Sequence, residues 1–235
     1  ATTLDKRQAK VYNVKWEGFR NYFANVFKQG DHVSLIGSTG CGKTTLAFYG
    51  ILPIRDYVCV CATKPRDKQL TGLTDYGFVK IKAWPPPYQW NRHVLLWPNS
   101  KRVEDTTLQA ITFSSAISQI YEQGAWAVYI DELHYFIETL KMERLLSMVW
   151  QQGRSMDISL IASMQRPSRV PLLAYSQATH LFFWRSNDEA DLKRIGGIGW
   201  SNSKVVRELV SQLYGPVGAA PKGLSNQFLY VNSRT

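Results

Sequence analysis

Short apolar runs bounded by glycine, proline and charged residues recur along this chain. Between them lie stretches in which apolar positions return every three or four residues. The runs His32 to Ile36, Tyr57 to Ala62, His93 to Trp97, Ala125 to Ile130, Ile158 to Ser163 and Thr179 to Trp184 predict strands, and Phe78 to Trp84 alternates as another. Helical spacing places Trp16, Phe19, Tyr22, Phe23 and Phe27 on a helix ending at Gly30, and predicts further helices from Thr44 to Tyr49 and from Glu189 to Ile195. Phe113, Ile117, Ile120 and Tyr121 share one face of a helix from Glu104 that Gly124 ends, and a helix from about Ile137 to Trp150 stops near Gly153. The tail from Gly215 is loop-rich, with a last strand at Gln227 to Val231. Strands alternating with helices predict an α/β fold whose mostly parallel central sheet is covered by helices on both faces.

Two parts of the chain break this rhythm. Residues 1–30 read as a polar, basic arm followed by a helix, and 31–235 as the main domain. Within that domain a segment at about 63–103 reads as an insertion or flap. It starts with the turn-rich stretch Thr63 to Asp75 and is interrupted by Pro85-Pro86-Pro87. At 235 residues the chain has room for one large α/β domain or two small ones, and none for an added nuclease. With 45% hydrophobic residues it lacks the composition of disorder. No run approaches the roughly 20 apolar residues of a membrane span, and the first residues have no apolar signal segment, so a soluble intracellular protein is expected.

Cys59 and Cys61 alternate within a buried strand and read as reduced core residues on one face. The histidines are scattered without the spacing of zinc ligands. Charge says more: Lys and Arg outnumber Asp and Glu by 28 to 18, a net +10 that favours a polyanionic partner.

The candidate chemistry begins at Gly37-Ser38-Thr39-Gly40-Cys41-Gly42-Lys43-Thr44, which has the spacing G-x-x-x-x-G-K-[ST] and lies between a predicted strand and a predicted helix. In that setting glycines let backbone N–H groups turn toward phosphates at a helix N-terminus, Lys43 reaches the outer phosphates, and the Thr44 hydroxyl binds Mg2+. Thr45 completes the nucleotide-binding stretch. A metal-binding carboxylate and a group to activate water must come from another strand end. Asp131 and Glu132 end the run Ala127 to Ile130, so Asp131 is assigned to the magnesium shell and Glu132 to the lytic water. A catalytic glutamate beside the metal aspartate points to ATP hydrolysis rather than to phosphate transfer onto a small acceptor.

Gln165 follows the strand Ile158 to Ser163, where a polar side chain could sense the γ-phosphate. The stretch from Gly153-Arg154 through Gln165-Arg166-Pro167-Ser168, with an arginine before a strand and then Gln-Arg-Pro-Ser, resembles the corresponding stretch of the HerA/FtsK superfamily of DNA-pumping ATPases. The strand at His180 to Arg185 and the helix after Asp188 are similar to the elements that follow that glutamine in the superfamily. The resemblance implies a P-loop NTPase of the RecA-like class with an additional strand and a catalytic glutamate (ASCE). It also implies a ring, hexameric or pentameric, around double-stranded DNA, and the compact members of the superfamily include viral and phage genome-packaging ATPases. A neighbour's arginine finger is expected in such rings, with Arg154 the first candidate and Arg166, Arg169 and Arg185 the alternatives.

The basic residues Lys64, Arg66, Lys68, Lys80, Lys82, Arg92, Lys101 and Arg102, interleaved with Trp84, Tyr88, Trp90 and Trp97, read either as a phosphate-contacting surface or as a solvated, aromatic-packed flap. The expected function is a sequence-independent translocase of double-stranded DNA. Packaging would bring a portal or capsid vertex protein as a docking partner and a place in the host cytoplasm or the virion. The rival readings are a P-loop ATPase for protein or phage export or conjugation, and a nucleotide-dependent switch that is no motor.

Overall fold

A computed structural model describes residues 11–87, 91–99, 101–102, 104–166, 168, 171–197, 203–215 and 226–234. Residues 1–10 of the expected arm, Tyr88, Trp90 and Arg169 lie outside the described residues. The strands are β1 (Val33–Ile36), β2 (Val58–Cys61), β3 (Val79–Ile81), β4 (His93–Leu96), β5 (Ala127–Ile130), β6 (Ser159–Met164), β7 (His180–Trp184) and β8 (Phe228–Asn232). They form one sheet in the order β3-β4-β2-β5-β6-β1-β7-β8. Neighbours pair in parallel except β8, which runs antiparallel to β7. Every residue of β1, β2, β5, β6 and β7 is buried, which is why these strands read as unbroken apolar runs: helices cover both faces.

The helices are α1 (Trp16–Val26), α2 (Lys43–Leu46), α3 (Lys68–Thr71), α4 (Asp105–Gln123), α5 (Glu143–Gln152), α6 (Leu173–Ser176), α7 (Glu189–Gly196) and α8 (Ser203–Gln212). Alternation along β2 sends Cys59 and Cys61 to one apolar cluster and Val58 and Val60 to the other, so each face of the sheet has its own core. Phe19, Phe23 and Phe27, four residues apart, dock α1 on the second face, where Phe19 and Phe23 meet Phe182 and Tyr230 edge-on. Each such ring removed from water contributes about 1.5–3 kcal/mol. Trp16 and Tyr22 lie on the outer side of the helix, 39% and 45% exposed.

Three expectations are corrected. The helix expected from Ile137 to Trp150 is two elements, a wide π turn at Tyr135–Thr139 and then α5. Lys141 between them holds a left-handed backbone at φ 54°, which ends one helix and lets Leu140, Met142 and Leu146 all turn inward. The strand expected over Phe78 to Trp84 shortens to the three residues of β3. The segment 63–103 does not stand off as a flap, because it supplies β3 and β4 to one edge of the sheet. Among the described residues no helix is long and apolar enough to cross a membrane.

Candidate active site

The loop that follows β1 is shaped by contacts that only glycines permit. Gly40 and Gly42 hold φ of 79° and 106°, a region L side chains avoid. Gly37 is fixed differently: a β-carbon there would sit 2.7 Å from Trp184 Cβ and 2.8 Å from Cys41 Sγ. Its N–H donates to the Met164 carbonyl at the end of β6, at 3.1 Å. Asn226, just before β8, donates its side-chain amide to the Cys41 carbonyl at 2.9 Å, so the last strand also touches the loop. Lys43 is buried and its ammonium folds onto the carbonyls of Gly37 and Ser38, at 2.6 and 2.8 Å. Burial works against its charge and holds its pKa below the ordinary lysine value, despite the nearby Cys41, Glu132 and Asp131.

The sheet order brings the other expected residues to this loop. β6 lies between β1 and β5, which places the ends of all three strands side by side. Asp131, one residue past β5, is buried, and its Oδ1 accepts from the Thr44 hydroxyl at 3.3 Å and from the buried Tyr129 hydroxyl at 3.0 Å. A hydroxyl and a carboxylate meeting at a helix N-terminus are hard oxygen donors, the set that suits Mg2+. Glu132 lies beside them. Burial, together with the Asp131 charge, raises its carboxyl pKa above the ordinary glutamate value, against the opposing pull of Gln165, Lys43 and Lys64. Gln165, one residue past β6, donates its amide to Glu132, and its oxygen accepts from the Thr39 hydroxyl at 3.0 Å. The predicted loop, aspartate, glutamate and glutamine therefore converge.

Arg154 does not join them. It lies on the turn Gly153–Met156 before β6, at the opposite end of the strand, and donates to Thr179 Oγ1 at 2.7 Å. Six strand residues span about 20 Å, beyond the reach of this side chain to its own loop. Arg166 is held within the chain by Asp188, at 2.6 Å.

Sequence reasoning missed the partner of Lys64: this half-exposed cation donates its ammonium to Asp131 Oδ2 at 2.8 Å. The rest of that basic group is dispersed. Lys80 lies 3.9 Å over the buried ring of Trp97, which follows β4, and Arg92 lies over Tyr57 at the opposite end of β4 and β2. The signal that could have found Lys64 is the pairing of β2 with β5, which no local pattern contains.

No protein-family profile matches the chain, and no curated protein matches it. Solved structures do. The genome packaging NTPase B204 from Sulfolobus turreted icosahedral virus 2, in complex with ATP-gammaS, superposes with a TM-score of 0.62 at 16% identity, over 88% of this chain and 95% of that one. B204, the DNA-packaging ATPase from Sulfolobus turreted icosahedral virus, gives 0.60 at 16% identity, over 88% and 95%. The fold is that of a P-loop NTPase. In P-loop NTPase terms, the loop Gly37 to Thr44 follows an inner strand, β1, and the β5 carboxylates lie across the intervening strand β6.

Proposed function

We propose that this chain is an ATP-hydrolysing translocase of double-stranded DNA, the packaging ATPase of a virus or phage, working as a ring of identical subunits. The observation that carries the hydrolase reading is the convergence of Thr44, Asp131, Glu132 and Gln165 on one glycine-rich loop. The likeness in fold to B204 along nearly the whole chain, and the net charge of +10, support DNA as the substrate.

In this reading the backbone N–H groups of residues 38–44 and the Lys43 ammonium bind the phosphates of ATP, and Thr44 with Asp131 holds Mg2+. Mg2+, when bound, polarises the phosphate oxygens and offsets their charge. Glu132 accepts a proton from the attacking water, and its raised basicity suits that task. Gln165 orients Glu132 and ties it to the loop through Thr39. Arg154, too far from its own loop, serves the nucleotide of a neighbouring subunit.

The test is the rate of ATP hydrolysis with and without duplex DNA of mixed sequence, alongside particle mass. Stimulation by any duplex, in a ring, is the expected result. Binding should weaken by about 10³-fold or more between roughly 50 and 200 mM salt if six or more phosphates are contacted. A ring that hydrolyses ATP and ignores duplex DNA would overturn the DNA reading and leave the hydrolase standing.

A further inference from the structure

We infer that Lys64 is a built-in counter-ion of Asp131 that competes with magnesium for this carboxylate and weakens metal binding until nucleotide phosphates arrive. The inference rests on the reading that Thr44 and Asp131 hold the metal.

The contact is built from the backbone outward. β2 and β5 run in register, Cys61 opposite Ile130, so the residues leaving the two strands start side by side. Lys64 reaches across from the β2 end to Asp131 Oδ2 at 2.8 Å. Its loop is fixed at two carbonyls. The Lys64 carbonyl accepts from the indole N–H of Trp97 at 2.8 Å. The Thr63 carbonyl accepts from the amide of Gln109 at 3.1 Å, and Gln109, fully buried, accepts in turn from the Tyr135 hydroxyl at 2.7 Å. Asp67, which caps α3, stands 3.6 Å from the ammonium on its outer side.

The consequence follows from charge. The Asp131 side chain is 5% exposed, and a buried carboxylate left alone is costly, so the ammonium stabilises it. A divalent cation arriving at the same carboxylate meets that ammonium, and the two repel. The Lys64 side chain is 47% exposed, so water screens the repulsion and limits it to about tenfold in apparent metal affinity. Nucleotide phosphates supply negative charge that recruits the metal and gives the ammonium another anion to face. Lys64 is therefore a positioning residue: it biases the order in which phosphate and metal are taken.

The experiment is a titration of Mg2+ against binding of a fluorescent ADP analogue, which needs no turnover, by the wild type, Lys64→Met and Lys64→Arg. Lys64→Met should reach half-saturation at about tenfold lower Mg2+, and Lys64→Arg should return it to the wild-type value. An unchanged or raised Mg2+ requirement in Lys64→Met, or an arginine that fails to restore it, overturns the inference. Should Lys64→Met not fold, mass-spectrometric mapping of lysine acylation on the wild type takes its place. The labelling rate of Lys64 should change once Mg2+ and ADP are both present, and equal labelling overturns the inference. Binding of the analogue by the wild type without any Mg2+ dependence would instead overturn the metal assignment itself.

Discussion

Gln165 donates its side-chain amide to Glu132, and the same side chain accepts from Thr39 in the glycine-rich loop. The glutamate assigned to water activation is thus tethered to the phosphate-binding backbone through a single residue. Glu132→Gln should bind ATP and hydrolyse it at least about 100-fold more slowly, because it keeps the size of the side chain and loses its basicity. Gln165→Ala should keep nucleotide affinity within about threefold while turnover falls about tenfold or more, a split that places the loss after binding. Steady-state rates with equilibrium nucleotide binding check both, and normal hydrolysis by Glu132→Gln would remove that residue from the mechanism.

The glycines of the loop should not respond alike to alanine. Gly40 has open space where a β-carbon would stand and suffers only its left-handed backbone, so Gly40→Ala should cost about 1 kcal/mol. Gly37 has an ordinary backbone and no space, with Trp184 and Cys41 both within 3 Å of the added carbon. Gly37→Ala must shift a packed strand and should cost more, about 1–3 kcal/mol. Urea unfolding of the two variants orders them, and the reverse order would mean that Trp184 yields easily.

Arg154 can serve a nucleotide only across a subunit boundary, which makes it testable by mixing. Arg154→Ala and Lys43→Ala should each be nearly inactive alone. In a mixed ring, an intact Lys43 facing a neighbour's intact Arg154 is a complete site, so activity should return. Confirmed mixed rings with no recovered hydrolysis would show that Arg154 is not the finger.

His32 makes acid the weak side of this fold. Its Nδ1 accepts the Leu160 N–H at 3.0 Å, which fixes the ring neutral, and burial, with the Arg154 charge, lowers its pKa to about 4 from 6.5. As pH falls from 6.5 toward 4 the unfolded chain takes up the proton and the folded chain does not. Stability therefore drops across that window, by about 3 kcal/mol, and this contribution levels off below it. His32→Asn offers an oxygen to the same N–H and should be flatter between those pH values. Thermal unfolding of both proteins from pH 7 to 4 measures the difference, and parallel curves would rule out this histidine as the cause.

The elements legible in the sequence are those whose signal is local. The runs that became β1, β5, β6 and β7 stand out because both faces of each strand are buried, and α4 shows because Phe113, Ile117 and Ile120 share a stripe. The loop and the pair Asp131-Glu132 were legible for the same reason, each adjoining such a run. What stayed hidden depends on partners distant in sequence. The break at Lys141 is a backbone choice made by the core beneath it, and α8 lies ahead of the tail in a stretch where the sequence reading placed no element. The Lys64 contact exists only because β2 lies beside β5, and the basic residues near it scatter once β3 and β4 enter the sheet.

The place of β1 between β6 and β7 also sets a timetable. Val33 pairs with Ile161 on one side and His180 on the other, so the strand that leads into the phosphate loop is made early and finds both neighbours late. At synthesis rates of about 5–20 residues per second, the wait is on the order of 10 s. Throughout it Val33, Leu35 and Ile36 lack their neighbours in β6 and β7, a segment that a chaperone would grip and that nucleotide cannot yet protect. On the hydrolase reading, ATP stabilises this protein only after the ribosome has delivered β7, so the growing chain must stay soluble without help from that ligand.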